Sequence, residues 1–209
     1  MTLQLTKKHD FDMVMDSQKV YRTILEAISN PARVVNIQKS TGKLFGSCPE
    51  FLALAVTLLD NETSFSVCGN DTLSDEIATL TLARRGKTES ADFIFVHDPD
   101  GLKAVIETAK CGTLSDPHKS ATVVIRNSGT PVCRLSLSGP GIDGCTEIMA
   151  PQVVKDAIAC RDLQYYEYPQ GIDLIFISSD SDLLAIPRST RVGNSATASK
   201  DTLTSQLAH

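Results

Sequence analysis

The chain has 209 residues, a formal charge of −5 and 42% apolar residues, long enough to bury about 70–75% of its unfolded surface without disulfide or metal staples. Its cations are scattered, adjacent only at Lys7-Lys8 and Arg84-Arg85, which excludes a nucleic-acid or anionic-membrane surface, since those need clustered positive charge. No run reaches the ~20 apolar residues of a membrane span, the first residues lack a signal peptide's apolar core, and Cys48, Cys68, Cys111, Cys133, Cys145 and Cys160 include no Cys-x-x-Cys pair, so a soluble, cytoplasmic protein with free thiols is expected.

Residues 1–11 are polar and read as a flexible N-terminus. Asp16 or Ser17 can cap a helix running to about Ser29, with Val20, Ile24 and Ala27-Ile28 on one stripe and Asn30-Pro31 ending it. A short strand is expected over 33–37. Ser47-Cys-Pro-Glu50 has the Ser-x-x-Glu form of a capping box, and the helix after it is apolar on almost every side, which places it between other elements. Residues 64–68 alternate as a strand. The next helix opens at Asn70 to Thr72, turns Leu73, Ile77 and Leu80 inward, and carries Arg84 and Arg85 in its last turn, where cations suit the negative helix end. Residues 93–96 form a buried strand, and Asp98-Pro99 supplies a cap and a first-turn proline for a helix over 99–109. Residues 121–126 and 131–138 read as a hairpin around Asn127 to Thr130, with one wet face on the second arm. After Ser138-Gly-Pro-Gly-Ile142 a helix begins near Pro151, with Val153, Val154, Ala157 and Ile158 inward. The segment 193–209 has no apolar periodicity and reads as a disordered tail.

The most ordered stretch lies between residues 168 and 190. Two continuous apolar runs, 174–177 and 183–186, flank the turn-type cluster Ser179 to Asp182. They predict a hairpin buried on both faces, central in its sheet. A turn centred between Asp180 and Ser181 sets Ile177 opposite Leu184, Ile175 opposite Ile186, and Asp173 opposite Arg188, an acid and a base at the hairpin mouth. Helices alternating with strands, interrupted by two hairpins, give a mixed β-sheet covered by helices in one α/β domain over 12–192.

Chemistry-bearing motifs are few. Gly139 and Gly141 form a glycine-rich turn after a strand, with Arg188 and Arg191 as candidate anion-binding or partner-binding cations, but the turn matches neither the dinucleotide fingerprint nor the P-loop. Cys111 and His118 lack a third and fourth metal ligand at a recognised spacing. His97-Asp98-Pro99-Asp100 puts a histidine and two carboxylates at the end of a strand, where α/β sites lie, although Asp98 is already explained as a helix cap. Tyr165, Tyr166 and Tyr168 cluster before the central hairpin and suit either a protein interface or packing over a sheet edge. These residues favour a binding or assembly subunit over an enzyme, with no metal and no cofactor.

Six segments in order resemble the H-subunit family (PhnH) of the bacterial carbon–phosphorus lyase machinery: Ser17-Gln18 with Tyr21 to Pro31, Leu58 to Thr63, Leu137 to Ile142, Ala150-Pro-Gln152, Tyr168 to Ile175, and Ala185 to Thr190. The resemblance spans about Asp12 to Val192; Ala32 departs from it, standing where the family usually has glycine. It implies a non-catalytic structural subunit of a core complex that couples an alkylphosphonate to ATP with release of adenine, giving a ribose 1-methylphosphonate 5-triphosphate. It also implies a fold like the large domain of pyridoxal-phosphate transferases without the cofactor, and no lysine stands in 131–150 or 165–190 for a Schiff base. The partners it implies are a second copy, in a homodimer, and the large nucleosidase-type subunit. The alternative is a small enzyme acting on a phosphorylated substrate at the Gly139–Gly141 turn.

Overall fold

The computed structural model describes residues 9–193. Its middle layer is a seven-stranded sheet in the order β1 (Val35–Asn36), β9 (Asp182–Ile186), β8 (Asp173–Ile177), β5 (Thr122–Arg126), β4 (Phe93–Val96), β2 (Ser64–Cys68) and β3 (Arg84–Arg85). From β8 to β3 the strands are parallel; β9 is antiparallel to β8, and β1 to β9. A separate antiparallel sheet holds β10 (Arg191–Gly193), β6 (Cys133–Ser138) and β7 (Cys145–Ala150), in that order. The chain is a single α/β domain built on a mixed sheet.

Continuous apolar runs become strands buried on both faces, as parallel sheets require. In β5 Val124 faces the core under α1 (Met15–Ser29), α3 (Pro49–Leu58) and α4 (Asp71–Thr81). Its neighbours Val123 and Ile125 face the core under α5 (Leu102–Thr108), α6 (Gln152–Asp162) and the small sheet. The all-round apolar helix is α3, whose Phe51 to Ala55 are each 0% exposed. Each large side chain there contributes about 1.5–3 kcal/mol by leaving water. A short helix, α2 (Gln38–Thr41), joins β1 to the 43–48 segment.

Several expectations are corrected. The capping box does not form: Ser47 donates its N–H and hydroxyl to Glu76, and Glu50 faces Arg126. α4 stops at Thr81 because Leu82 takes a left-handed φ of 60°, so Arg84 and Arg85 form an edge strand rather than a helix end. Arg85 pairs with Asp75, and Arg84 donates to the Glu62 carbonyl.

The second hairpin is also absent. β5 lies between β4 and β8, parallel to both, while β6 pairs with β7, a strand whose mostly exposed residues show no alternation. The central hairpin forms, one rung from the expected register: Ile177 opposes Leu183 and Leu174 opposes Ile186. Its loop has three residues, with Ser178 N–H bonded to the Asp182 carbonyl and Ser181 at φ 65°. This is the odd-length turn that ends in a left-handed residue, and an odd loop shifts pairing by one. Of the segments read as a flexible N-terminus and a tail, residues 1–8 and 194–209 lie outside those described. Asp10 N–H donates to the Lys43 carbonyl, Phe11 is buried, and Gly193 ends β10.

Candidate functional site

The loop after β9 is where most of the sequence candidates meet, and two arginines hold it. Arg161 of α6 is only 5% exposed. It donates to the carbonyls of Pro187 (3.1 Å) and Thr190 (3.0 Å), with a longer bond to Ile186 (3.5 Å), and its Nε reaches Asp162 at 2.9 Å. Arg188 works from the other side. Its backbone N–H meets Asp173 at 2.8 Å, its Nε lies 3.2 Å from both carboxylate oxygens, and Nη2 also contacts Asp173. Nη1 donates to the Pro117 carbonyl at 2.8 Å, and Nη2 also reaches Ser120. The expected Asp173–Arg188 ion pair therefore exists although the register differs, because Arg188 just beyond the strand folds back over the first residue of β8.

Clefts open beside this loop. One of about 640 Å³ lies between the β6–β7 turn and residues 188–191, walled by Ser138, Gly139, Tyr168, Ser189 and Arg191. Another, about 500 Å³, lies toward α6 and includes Gln164, Tyr166 and Thr190. A shallower one of about 320 Å³ runs between Pro117, Tyr168, Pro169 and Pro187. Burial pushes the Tyr166 hydroxyl up to about 12, with the neighbouring Cys111 adding and Arg161 opposing; the phenol stays protonated and can donate.

The structure thus brings Gly139, Arg188, Arg191 and Tyr168 to one cleft and separates Gly141 from them. A Cβ on Gly141, at φ 81°, would lie 2.2 Å from the Ser29 carbonyl oxygen, so Gly141 lets the β6–β7 turn close onto the end of α1. Gly139, at φ 131°, sits against the Ser189 carbonyl, where a Cβ would stand 2.9 Å away. Arg188 is committed to the scaffold. Arg191 pairs through its backbone with Ser138 of β6, and its exposed side chain takes part in no hydrogen bond or ion pair among the described residues. Tyr165 is fully exposed and Tyr168 largely so, while Tyr166 is half-buried.

Two features go beyond the sequence reading, which places His97 at a strand end but not Arg126, Glu50 and Cys48 beside it. At the carboxyl ends of β2, β4 and β5, Arg126 lies 3.6 Å from Glu50 and 3.7 Å from the Cys48 thiol, and donates to Nε2 of His97. The helix after β2 covers one face and the helix after β4 the other, so this is the point where strand order reverses and open α/β sheets often bind ligands. Asp98 has the capping role read for it, accepting from Asp100 N–H. Among the described residues no group of three or more His, Cys, Asp and Glu side chains is placed to hold a metal.

The other feature is a second apolar stripe on α1. Val20, Ile24 and Ala27 are buried as expected, but Ile28, read as part of that stripe, is 40% exposed and falls with Val14 (74%), Tyr21 (52%) and Leu25 (50%) on the outer side. Their spacing of seven, four and three residues is itself helical, and was legible as a second stripe. Val34 and Met149 are also exposed and line a separate cleft with Ala32, Ile148 and Leu184.

Comparison with known proteins places this architecture. A protein named as C-P lyase subunit HtxG, from Stutzerimonas stutzeri, is 27% identical over 176 residues, covering 84% of this chain and 85% of that protein. The family model described as bacterial phosphonate metabolism protein (PhnH) matches residues 9–193, the whole of the described domain, and the chain belongs to that family.

Proposed function

We propose that this chain is a non-catalytic assembly subunit of a carbon–phosphorus lyase core complex, working in the cytoplasm as a homodimer bound to the large nucleosidase-type subunit. That complex would couple an alkylphosphonate to ATP with release of adenine. The observation that carries the reading is the outward stripe of α1: Val14, Tyr21, Leu25 and Ile28 are large, apolar and at least 40% exposed on a helix that already buries another stripe. A soluble monomer rarely exposes such a surface without a partner. The C-P lyase subunit named above, matched along nearly its whole length, supports the choice of complex. The likeness to pyridoxal-phosphate transferases belongs to the same reading, as a scaffold kept without its cofactor. The rival enzyme reading loses two of its parts, since Arg188 is saturated by Asp173, Pro117 and Ser120 and Gly141 packs on α1.

The test is co-purification of the tagged full chain from phosphonate-grown cells that carry the other core subunits, with sedimentation of the chain alone. Wild type is expected to retain those subunits and to sediment at about twice its 22.6 kDa. Leu25→Asp is expected to lose one association or both while its unfolding midpoint stays unchanged. A monomer that recovers no subunit, or phosphonate- and ATP-dependent turnover by the isolated chain, overturns the reading.

A further inference from the structure

The 640 Å³ cleft is built more firmly than a surface loop needs to be. Arg161 and Arg188 fix the loop on its inner side by donating to four of its own or neighbouring carbonyls, to Asp173 and to Ser120. Thr190 N–H closes the turn onto the Pro187 carbonyl. Opposite, Gly139 sits at a φ only glycine adopts readily, with no room for a side chain against Ser189. Two rigid walls therefore face each other, and the groups left between them are uncommitted. The Arg191 guanidinium has no partner among the described residues, the half-buried hydroxyls of Ser138 and Ser189 make no hydrogen bond there, and the Tyr168 ring is 77% exposed. Arg188 is the other charge on the wall and is neutralised by Asp173, which leaves Arg191 as the net positive charge.

A guanidinium fork with two flanking hydroxyl donors suits a tetrahedral oxyanion that offers several acceptors, and the tyrosine face suits a flat ring. The volume lies within the range of small-molecule sites, about 300–1,000 Å³. From this geometry we infer that the cleft between the β6–β7 turn and residues 188–191 binds a small phosphate monoester carrying a ring, with the phosphate on Arg191, Ser138 and Ser189 and the ring on Tyr168. Preorganisation by the two inner arginines keeps the ordering cost of binding low. No residue of the α1 stripe lines the cleft, so the site stands or falls separately from the assembly role.

The experiment uses the full chain with phenyl phosphate, inorganic phosphate and benzoate as probes, read by saturation-transfer NMR and titration calorimetry. Phenyl phosphate is expected to bind saturably and more tightly than either other probe. Arg191→Gln is expected to weaken it about tenfold, the effect of losing one charge-assisted contact. Tyr168→Leu is expected to weaken phenyl phosphate roughly fivefold and leave inorganic phosphate unchanged. Both side chains are exposed, so unfolding midpoints should hold; if Tyr168→Leu lowers its midpoint, Arg191→Gln alone decides. Absence of saturable phenyl phosphate binding, or binding indifferent to Arg191→Gln, overturns the site. Benzoate binding as tightly as phenyl phosphate overturns the phosphate assignment. Retention of partner subunits by Arg191→Gln in the co-purification shows that the assembly reading survives whichever way the titration falls.

Discussion

The two ends of the parallel strands treat charge differently. At the amino ends, carboxylates are saturated. Asp92, just before β4, accepts the Ser64 N–H at 2.8 Å, the Ser64 hydroxyl at 2.6 Å and the Lys110 ammonium, and Asp173, opening β8, takes the backbone and guanidinium of Arg188. At the carboxyl ends Arg126 reaches Glu50 only at 3.6 Å, and its other acceptors are a thiol at 3.7 Å and the His97 ring. Open α/β sheets usually bind ligands at the carboxyl ends. Here the antiparallel β9 brings the chain back, so the loop it feeds, and the clefts around it, open at the amino end. The braced end carries the three clefts around this loop, and the looser end carries a polar cluster and a smaller cleft beside Asn127 and Asp182.

The largest expected effect tests the brace. Asp173→Asn and Arg188→Gln should each destabilise by about 2–4 kcal/mol, because either leaves a partly buried charge or its donors unpaired. For a chain of this size that is about 5–12 °C in the unfolding midpoint. The double variant should cost little more than one single, since both remove one contact. Additive losses would show that the pair is no brace.

Next comes Asp92. Burial would raise its pKa, but Lys110 and Ser64 outweigh it and hold the carboxyl below the usual range. A depressed carboxylate contributes stability above its unfolded value, about 3.9, and loses it as pH falls through the folded value. Asp92→Ala should cost about 1–3 kcal/mol at neutral pH, and the cost should shrink in urea titrations as pH falls below about 3.9. A loss that does not shrink on acidification removes Asp92 from the brace.

Arg126→Met is expected to cost about 1–2 kcal/mol, because the buried Glu50 loses a cation that lies no nearer than 3.6 Å. Glu50 keeps its place in the first turn of α3, where the positive helix end favours it. A loss as large as that of Arg188→Gln would erase the contrast between the two ends.

Burial on both faces explains what was legible. Phe51 to Ala55, Phe93 to Val96 and the two arms of the central hairpin are apolar without interruption, and each became the expected element. What failed depended on backbone turns or distant partners. The hairpin register turned on Ser181 adopting a positive φ, and α4 ended early because Leu82 did the same; neither residue advertises that conformation. β5 and β6 are neighbours in sequence but lie in different sheets, a choice made by β4 and β8 rather than by the short loop between them. At the site, Gly139, Arg191 and Tyr168 were legible as candidates, but the separation of Gly141 and the saturation of Arg188 were not. Of the carboxyl-end cluster only His97 and its strand-end position were legible, since Arg126 and Cys48 stand 78 residues apart.

His97 gives the smallest and most specific test of the looser end. Burial lowers its pKa below the usual value, and the charge of Arg126 lowers it further, while Glu50 and Asp98 oppose. Its Nε2 accepts from Arg126, and a guanidinium has no lone pair to offer in return, so the folded state holds a neutral imidazole. The unfolded chain, by contrast, takes up a proton near pH 6.5. The stability His97 contributes is therefore fully present above about pH 6.5 and declines as pH falls from there to the folded value. Wild type should lose stability between pH 7.5 and 5.5 in urea titrations. His97→Gln should lose less over the same interval, and Arg126→Met should fall between them, because it removes one of the two causes and leaves burial. Equal losses in wild type and His97→Gln would mean that the imidazole titrates alike in both states. The carboxyl-end cluster would then be no more than a solvated edge.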